Sequence, residues 1–312
     1  SSQILYYDGT NFSQGNITLV LNDSYGIRNI QITYSVVEVQ IKEGQIIDPW
    51  LDNASTNSIT RNEQITMIDA FSDHTCITEA LDEMKCWGAG ANGKLGLPTY
   101  GVGNVNQPKS VYDSQYSNYS LITTGADHTC ALDGDNELSC WGAKTYYKLG
   151  DTQASGYTSY PVITVSNSEI YDQQLATVSA GGQHTCVIRI DATTWCWGYG
   201  NYGQIGDGNI YSGGTTQVAR RVTFEQNLSA VSISAGYHST CAILQDGSVW
   251  CWGYNDQGQL GIGNNTNQDI PYKVSLPAGR TALALSSGHY HTCAILDDGL
   301  GNPDSIKCWG KN

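Results

Sequence analysis

The sequence predicts an all-β protein, a β-propeller of five blades, on three observations. A unit of 52 to 56 residues recurs five times from about residue 62 onward. Each copy reads as four short strands separated by turns. Each also ends its third strand in Cys-Trp-Gly, at Trp87, Trp141, Trp197, Trp252 and Trp309. Antiparallel four-stranded units at a fixed period stack on one another, because no unit buries its apolar faces alone.

Within a unit, a β-rich run first ends in small residues, as in Val231-Ser232-Ile233-Ser234-Ala235-Gly236. The second strand is clearest in Thr292-Cys293-Ala294-Ile295-Leu296, and an acidic Gly turn such as Asp246-Gly247 or Asp298-Gly299 follows. Such a dipeptide between apolar runs is a strong hairpin signal. After Cys-Trp-Gly, a Gly-rich loop closes on Leu-Gly or Ile-Gly at Gly96, Gly150, Gly206 and Gly261. A last strand such as Pro271-Tyr272-Lys273-Val274-Ser275-Leu276 completes the unit.

The ten cysteines pair by position as Cys76/Cys86, Cys130/Cys140, Cys186/Cys196, Cys241/Cys251 and Cys293/Cys308. Each pair flanks a tight hairpin, so its members face each other on neighbouring strands and predict a cross-strand disulfide. Zinc sites would show Cys-x2-Cys or mixed Cys/His clusters. The framework therefore indicates an oxidising compartment. Strand residues alternate faces, so the Trp beside each second Cys points to the other side, as a wedge between blades. The Gly after it allows a turn where a Cβ would clash.

Composition narrows the function. Of 312 residues only 14% are charged, while Gly (35), Tyr (20) and Trp (8) are plentiful, which suits turn-rich aromatic β-structure. The net charge of −14, with no basic run, argues against nucleic acid and anionic membrane as partners. No apolar stretch approaches the roughly 18–20 residues of a membrane span. The opening Ser1-Ser2, without Met, fits a mature chain freed of a signal peptide. Candidate glycosylation acceptors at Asn11, Asn16, Asn22, Asn53, Asn118, Asn227 and Asn264 agree with export. An extracellular or cell-surface location is the expectation.

The pattern Ala-Gly-x-x-His-Thr-Cys-Ala-Leu, then Asp-Gly, then Cys-Trp-Gly-x-x-x-x-Gly-Gln-Leu-Gly resembles the repeat of RCC1, the regulator of chromosome condensation. Ala235 to Gly261 and Ala180 to Gly206 are the closest copies, and the resemblance covers about residues 62 to 310. It implies a propeller; family members often have seven blades. The paired cysteines look like those of secreted relatives, some of which inhibit β-lactamase through one propeller face. Nucleotide exchange on a small GTPase, the family's best-known activity, has no matching segment here.

No other motif carries chemistry. His74, His128, His184 and His291 each stand two residues before a Cys, with Ser239 in the corresponding place of the fourth unit. Equivalent positions in separate blades, one of them Ser, predict the same local hydrogen bond in each rather than a metal ring. Asp133-Gly134-Asp135-Asn136-Glu137 lacks the spaced oxygen ligands of a calcium loop and reads as a hairpin turn. No nucleophile elbow, His-Glu-x-x-His or phosphate loop appears. No catalytic residue, metal site or cofactor is therefore assigned. The loops are instead rich in Tyr, Asn and Gly, the residues of adaptable binding surfaces. Tyr146, Tyr147, Tyr199, Tyr202, Tyr211 and Tyr254 are the candidate binding face.

The ends complete the reading. The fifth unit stops at Cys308-Trp309-Gly310-Lys311-Asn312, without its last strand. Val36-Val37-Glu38-Val39-Gln40-Ile41 has the character to supply that strand, making 36–312 the propeller and 1–35 a β-rich extension; alternatively residues 1–60 form a diverged sixth blade. Within the extension, Ile17–Leu21 and Ile30–Tyr34 read as strands around a turn at Tyr25-Gly26. An unmatched β-rich arm beside an incomplete blade allows strand donation to a second copy. The expected function is thus a non-enzymatic subunit of an extracellular filament, appendage or surface layer, polymerising through its N-terminal strands. The alternative is a secreted lectin, adhesin or enzyme inhibitor that binds a protein or glycan through the Tyr-rich face.

Overall fold

A computed structural model describes residues 15–23, 26–34 and 65–311, apart from 80–82, 98–102, 112–118, 164–169, 171–173, 212 and 226–227. The first blade is β3 (Ile65–Phe71), β4 (His74–Glu79), β5 (Met84–Gly88) and β6 (Val105–Ser110). The second is β7 (Leu121–Thr124), β8 (His128–Leu132), β9 (Leu138–Ala143) and β10 (Tyr157–Ile163). The third is β11 (Leu175–Ala180), β12 (His184–Arg189), β13 (Thr194–Tyr199) and β14 (Thr215–Val222). The fourth is β15 (Ala230–Ala235), β16 (Ser239–Leu244), β17 (Val249–Gly253) and β18 (Gln268–Lys273). In each, the strands pair antiparallel in sequence order. The fifth has three described strands: β19 (Ala282–Ser287), β20 (His291–Asp297) and β21 (Pro303–Gly310). The first strands lie innermost, where Met67, Ile122, Val178, Ile233 and Leu285 line an axial hollow.

Before the blades, β1 (Gly15–Asp23) and β2 (Gly26–Tyr34) form an antiparallel hairpin pairing Ile17 with Ile32 and Leu19 with Ile30. The expected closing strand, 36–41, lies outside the described residues. No described helix is long and apolar enough to cross a membrane.

All five expected disulfides form, and each joins residues directly opposite in register, such as Cys186 and Cys196. The Cα atoms of four pairs are 4.1 Å apart and those of the fifth 4.0 Å, close to the spacing of a non-hydrogen-bonded antiparallel pair. Five bridges in one chain are those of an oxidising environment.

The wedge has a defined anchor. The indole of Trp197 donates from Nε1 to the Lys148 carbonyl of the preceding blade at 3.1 Å, and the Thr185 hydroxyl donates to the same oxygen at 2.7 Å. Lys94 O receives Trp141 and Thr129 in the same way, Gln204 O receives Trp252 and Thr240, and Gln259 O receives Trp309 and Thr292. Trp141, Trp197 and Trp252 are fully buried; Trp309 and Trp87 are partly buried. Among the described residues no earlier blade supplies a carbonyl to Trp87. The Gly after each Trp is required: Gly142 has φ +109°, and a Cβ there would lie 2.4 Å from Asp127 O.

Three of the four recurring histidines also tie blades together. His74 Nε2 meets Thr129 Oγ1 at 2.9 Å, His128 meets Thr185 at 3.0 Å and His184 meets Thr240 at 2.8 Å. The bond is the same in each, as expected, but reaches the next blade rather than staying local. The Thr proton is already given to a carbonyl, so His Nε2 is the donor, which leaves Nδ1 unprotonated and without a partner in all three. Burial first, then the Lys94 charge, pushes His74 down to about 3, and burial and His238 do the same to His184. These rings are neutral structural donors.

A polar seam runs round the inner strands. Asp69 accepts the Thr124 amide at 2.5 Å, Thr123 Oγ1 that of Ala180, Ser179 Oγ that of Ala235, and Ser234 Oγ that of Ser287. Four blade junctions are thereby stitched in one sense.

Candidate aromatic binding face

Two loops of every blade meet at one end of the propeller. The first joins strands one and two; the second follows Cys-Trp-Gly. Backbone bonds lock them together: Ala143 N donates to Asp127 O, Tyr199 N to Gln183 O, Tyr254 N to His238 O and Lys311 N to Tyr290 O. The residues just before the His or Ser are therefore presented beside the Tyr-rich loops.

The result is a continuous strip of rings. Tyr146 lies 4.8 Å from Tyr199, Tyr199 is 6.0 Å from Tyr202, and Tyr202 is 4.6 Å from Tyr254. His238 sits among them, 5.0 Å from Tyr202 and 5.4 Å from Tyr199. Tyr237 extends the strip to blade five by stacking on His289 at 3.9 Å, and Tyr290 follows 4.2 Å from His289. Beyond it the Lys311 ammonium lies 5.4 Å over the Tyr290 ring.

The strip carries little charge of its own. Burial lowers His238 to about 4, assisted by His289, and burial also lowers His289. Burial raises Tyr199 and Tyr237, while the bond to Asp256 (2.6 Å) raises Tyr254 to about 12. At neutral pH Tyr199, Tyr237 and Tyr254 are therefore phenols, and His238 and His289 neutral imidazoles.

Ionic groups flank it on the side of blades one and two. Lys94 is 1% exposed and donates to Asp73 Oδ1 at 2.6 Å and Ala126 O at 3.1 Å, with Asp127 at 3.6 Å. Lys148, equally buried, donates to Thr145 Oγ1 at 3.1 Å, and burial lowers it to about 8. Gln204 and Gln259 hold the equivalent positions in later blades, each turning its side-chain oxygen back to its own loop at Tyr202 N and Gln257 N. The lysines thus stand where the repeat places a loop-bracing side chain. No group of three or more His, Cys, Asp and Glu among the described residues is placed to hold a metal.

Of the six tyrosines singled out by composition, Tyr146, Tyr199, Tyr202 and Tyr254 lie in the strip. Tyr147 has no ring neighbour among the described residues. Tyr211 turns inward, packing beside the third-to-fourth blade core and donating to the Asp207 carboxylate. Tyr237, His238, His289 and Tyr290 were not singled out, although the shared position between the small residues and His or Ser marks all four. Asn264 is exposed, its Oδ1 accepting the Thr266 amide at 2.8 Å. Asn11, Asn53, Asn118 and Asn227 lie outside the described residues, as do the side chains of Asn16 and Asn22.

Profiles of the regulator of chromosome condensation (RCC1) repeat match residues 191–243 and 246–295, and a second such profile matches 120–147, 176–204 and 230–259. This chain carries RCC1 repeats. It is 27% identical over 243 residues to the ultraviolet-B receptor UVR8 of Arabidopsis thaliana, covering 78% of this chain and 52% of that protein. With the human E3 ubiquitin-protein ligase HERC2 it is 25% identical over 261 residues, 80% of this chain and 5% of HERC2. The chain thus spans about half the length of UVR8 and a small part of HERC2. Its backbone resembles human WBSCR16 (TM-score 0.65, 22% identity, 76% of this chain and 58% of that one). It also resembles yeast RCC1 (Prp20), solved bound to Kap60 (TM-score 0.64, 19% identity, 80% and 56%). At these identities the solved structures establish the fold.

Proposed function

We propose that this RCC1-repeat propeller is a non-enzymatic binding module of the extracellular space or cell surface that takes a partner protein on its aromatic face. The supporting observation is the unbroken strip from Tyr146 to Tyr290, rings contributed by four blades and half-buried except for the exposed His289. Rigid aromatic side chains give large contact area at low entropic cost, and a propeller holds them without rearrangement. Prp20, with the same fold, is crystallised bound to another protein, Kap60. The test places a photo-crosslinking phenylalanine analogue at Tyr202 and, as control, at the exposed Tyr272 on an outer strand, in protein at its native location. A discrete adduct from position 202 alone is expected. Adducts from both positions, or from 272 only, overturn the assignment.

Self-assembly through residues 1–35 is the second reading. The hairpin of β1 and β2 and the exposed Cys308 side of blade five favour it. Deleting residues 1–35 should then dissolve assemblies to monomers lighter than the 33.8 kDa full chain, with an unchanged melting temperature. An unchanged particle size removes this reading.

A further inference from the structure

The aromatic face also indicates what chemistry its partner brings. We propose that the strip receives a cationic, Arg- or Lys-bearing segment of the partner protein, with guanidinium or ammonium groups seated over the rings of Tyr202 and Tyr254 beside the Asp256 carboxylate, and with the carboxylates of Asp73 and Asp127 on the flank of the strip. This rests on the binding-face reading above and names the partner's chemistry.

Three observations point the same way. First, the chain already places a cation on this surface: Lys311 Nζ lies 5.4 Å over Tyr290, at the blade-five end of the strip. The ring quadrupole that attracts it is present in every other Tyr of the strip. Second, charge on this end of the propeller is sorted by depth. The lysines Lys94 and Lys148 are buried beneath the surface, whereas the side chains of Asp73 and Asp127 are 53% and 44% exposed. Lys144, also at this end, is held by Asp151 at 2.9 Å. Within the strip itself, Asp256 is exposed beside Tyr254. An approaching partner therefore meets carboxylates and ring faces first. Third, the whole chain carries −14, so long-range attraction favours a basic partner over an acidic one. The two imidazoles within the strip, His238 and His289, are neutral at pH 7 and oppose no cation.

A neutral glycan is the rival ligand for a Tyr-lined surface, and the two differ in what they need. A sugar uses the phenol hydroxyl as a hydrogen-bond partner, whereas a cation uses the ring face. Tyr202→Phe removes only the first, and Tyr202→Leu removes both.

The experiment titrates the full chain with three probes: a peptide alternating Gly and Arg, the same peptide with Gln for Arg, and a neutral chito-oligosaccharide. Binding is followed by calorimetry and by amide chemical shifts of the strip, with melting temperatures checked for each variant. The Arg peptide is expected to bind and to move strip resonances, while the Gln peptide does not. Tyr202→Phe should keep that affinity, and Tyr202→Leu should lose roughly five-fold, the weight of one partly exposed cation–π contact. Arg-peptide binding that ignores Tyr202→Leu overturns the proposal, because attraction to acidic surface alone explains it. Oligosaccharide binding at the strip that is lost in Tyr202→Phe overturns the cation assignment and leaves the binding face standing. If none of the three probes moves a strip resonance, the cation assignment falls, and the Tyr202 crosslink decides the binding-face reading on its own.

Discussion

Gly206 and Trp252 share one space: a Cβ on Gly206 would lie 2.5 Å from Trp252 Nε1, at a residue whose φ is +79°. Gly261 stands in the same relation to Trp309, at 2.7 Å. The Gly of Leu-Gly or Ile-Gly in one blade is thus the seat of the next blade's wedge. Trp252→Ala should cost ~3–5 kcal/mol, as large buried aromatics do. Gly206→Ala should also destabilise, by about 1–3 kcal/mol of overpacking and backbone strain. Because both changes act on one contact, the cost of Gly206→Ala should shrink when Trp252 is already Ala. Denaturant midpoints of the two single variants and the double variant test this; simple additivity would separate the two residues.

This relationship shows where the sequence was legible and where it was not. Cysteine spacing around a hairpin fixes register, so Cys186 opposite Cys196 could be read directly. Strand alternation then set Trp197 on the other face. The acceptor of Trp197, the Lys148 carbonyl, could not be read, because every residue carries a carbonyl and only the stacking of blades selects one. The partner of His184 is Thr240, a residue one full repeat away, so its position looked local while its bond is tertiary. In the binding face, Tyr composition found Tyr199 and Tyr202 but also Tyr211, whose ring fills the space left open by Gly200. His238 is not legible from composition, because its position in the repeat is held by Asp73, Asp127, Gln183 and Tyr290 in the other blades.

Acid should loosen the blade junctions before carboxylates protonate. His74 and His184 are held near 3 in the folded state and titrate near 6.5 when unfolded, and His128 is likewise lowered by burial. Between those values the unfolded chain binds more protons, so stability rises with pH and is lost as pH falls below about 6.5. Melting temperature should therefore drop from pH 7 to pH 5. His184→Gln should lower stability at pH 7 and flatten this slope, since Gln takes up no proton. An identical slope in the variant would show that His184 is not a source of it.

The fifth disulfide should differ from the other four. Cys76, Cys86, Cys130, Cys140, Cys186, Cys196, Cys241 and Cys251 are all 0% exposed, whereas Cys308 is exposed and Cys293 partly so. Each buried bridge faces the next blade, as the 3.9 Å approach of Cys241 Sγ to Thr292 shows. Mild reductant on the native protein, with alkylation and mass mapping, should open Cys293–Cys308 first. Equal resistance at all five bridges would show that this side of blade five is covered in solution. A dependence on protein concentration would then assign the cover to a second copy.

Tyr147 holds a conformation that its repeat otherwise gives to Gly. Gly93, Gly203 and Gly258 occupy the same place in the other loops with φ of +74°, +84° and +73°, and Tyr147 has φ +60° directly after Tyr146 at +65°. Two successive non-Gly residues in the left-handed region cost of order 1 kcal/mol each. Such strain persists where a side chain serves another purpose. Tyr147→Gly should therefore raise the melting temperature by roughly 1–2 °C, the shift expected for about 1 kcal/mol in a chain of this size. If Tyr147 is kept for contact with a partner, the same variant should bind that partner less well, stability and binding moving in opposite directions. A lower melting temperature would mean that the ring contributes more to loop packing than its backbone costs, and would remove Tyr147 from the binding face.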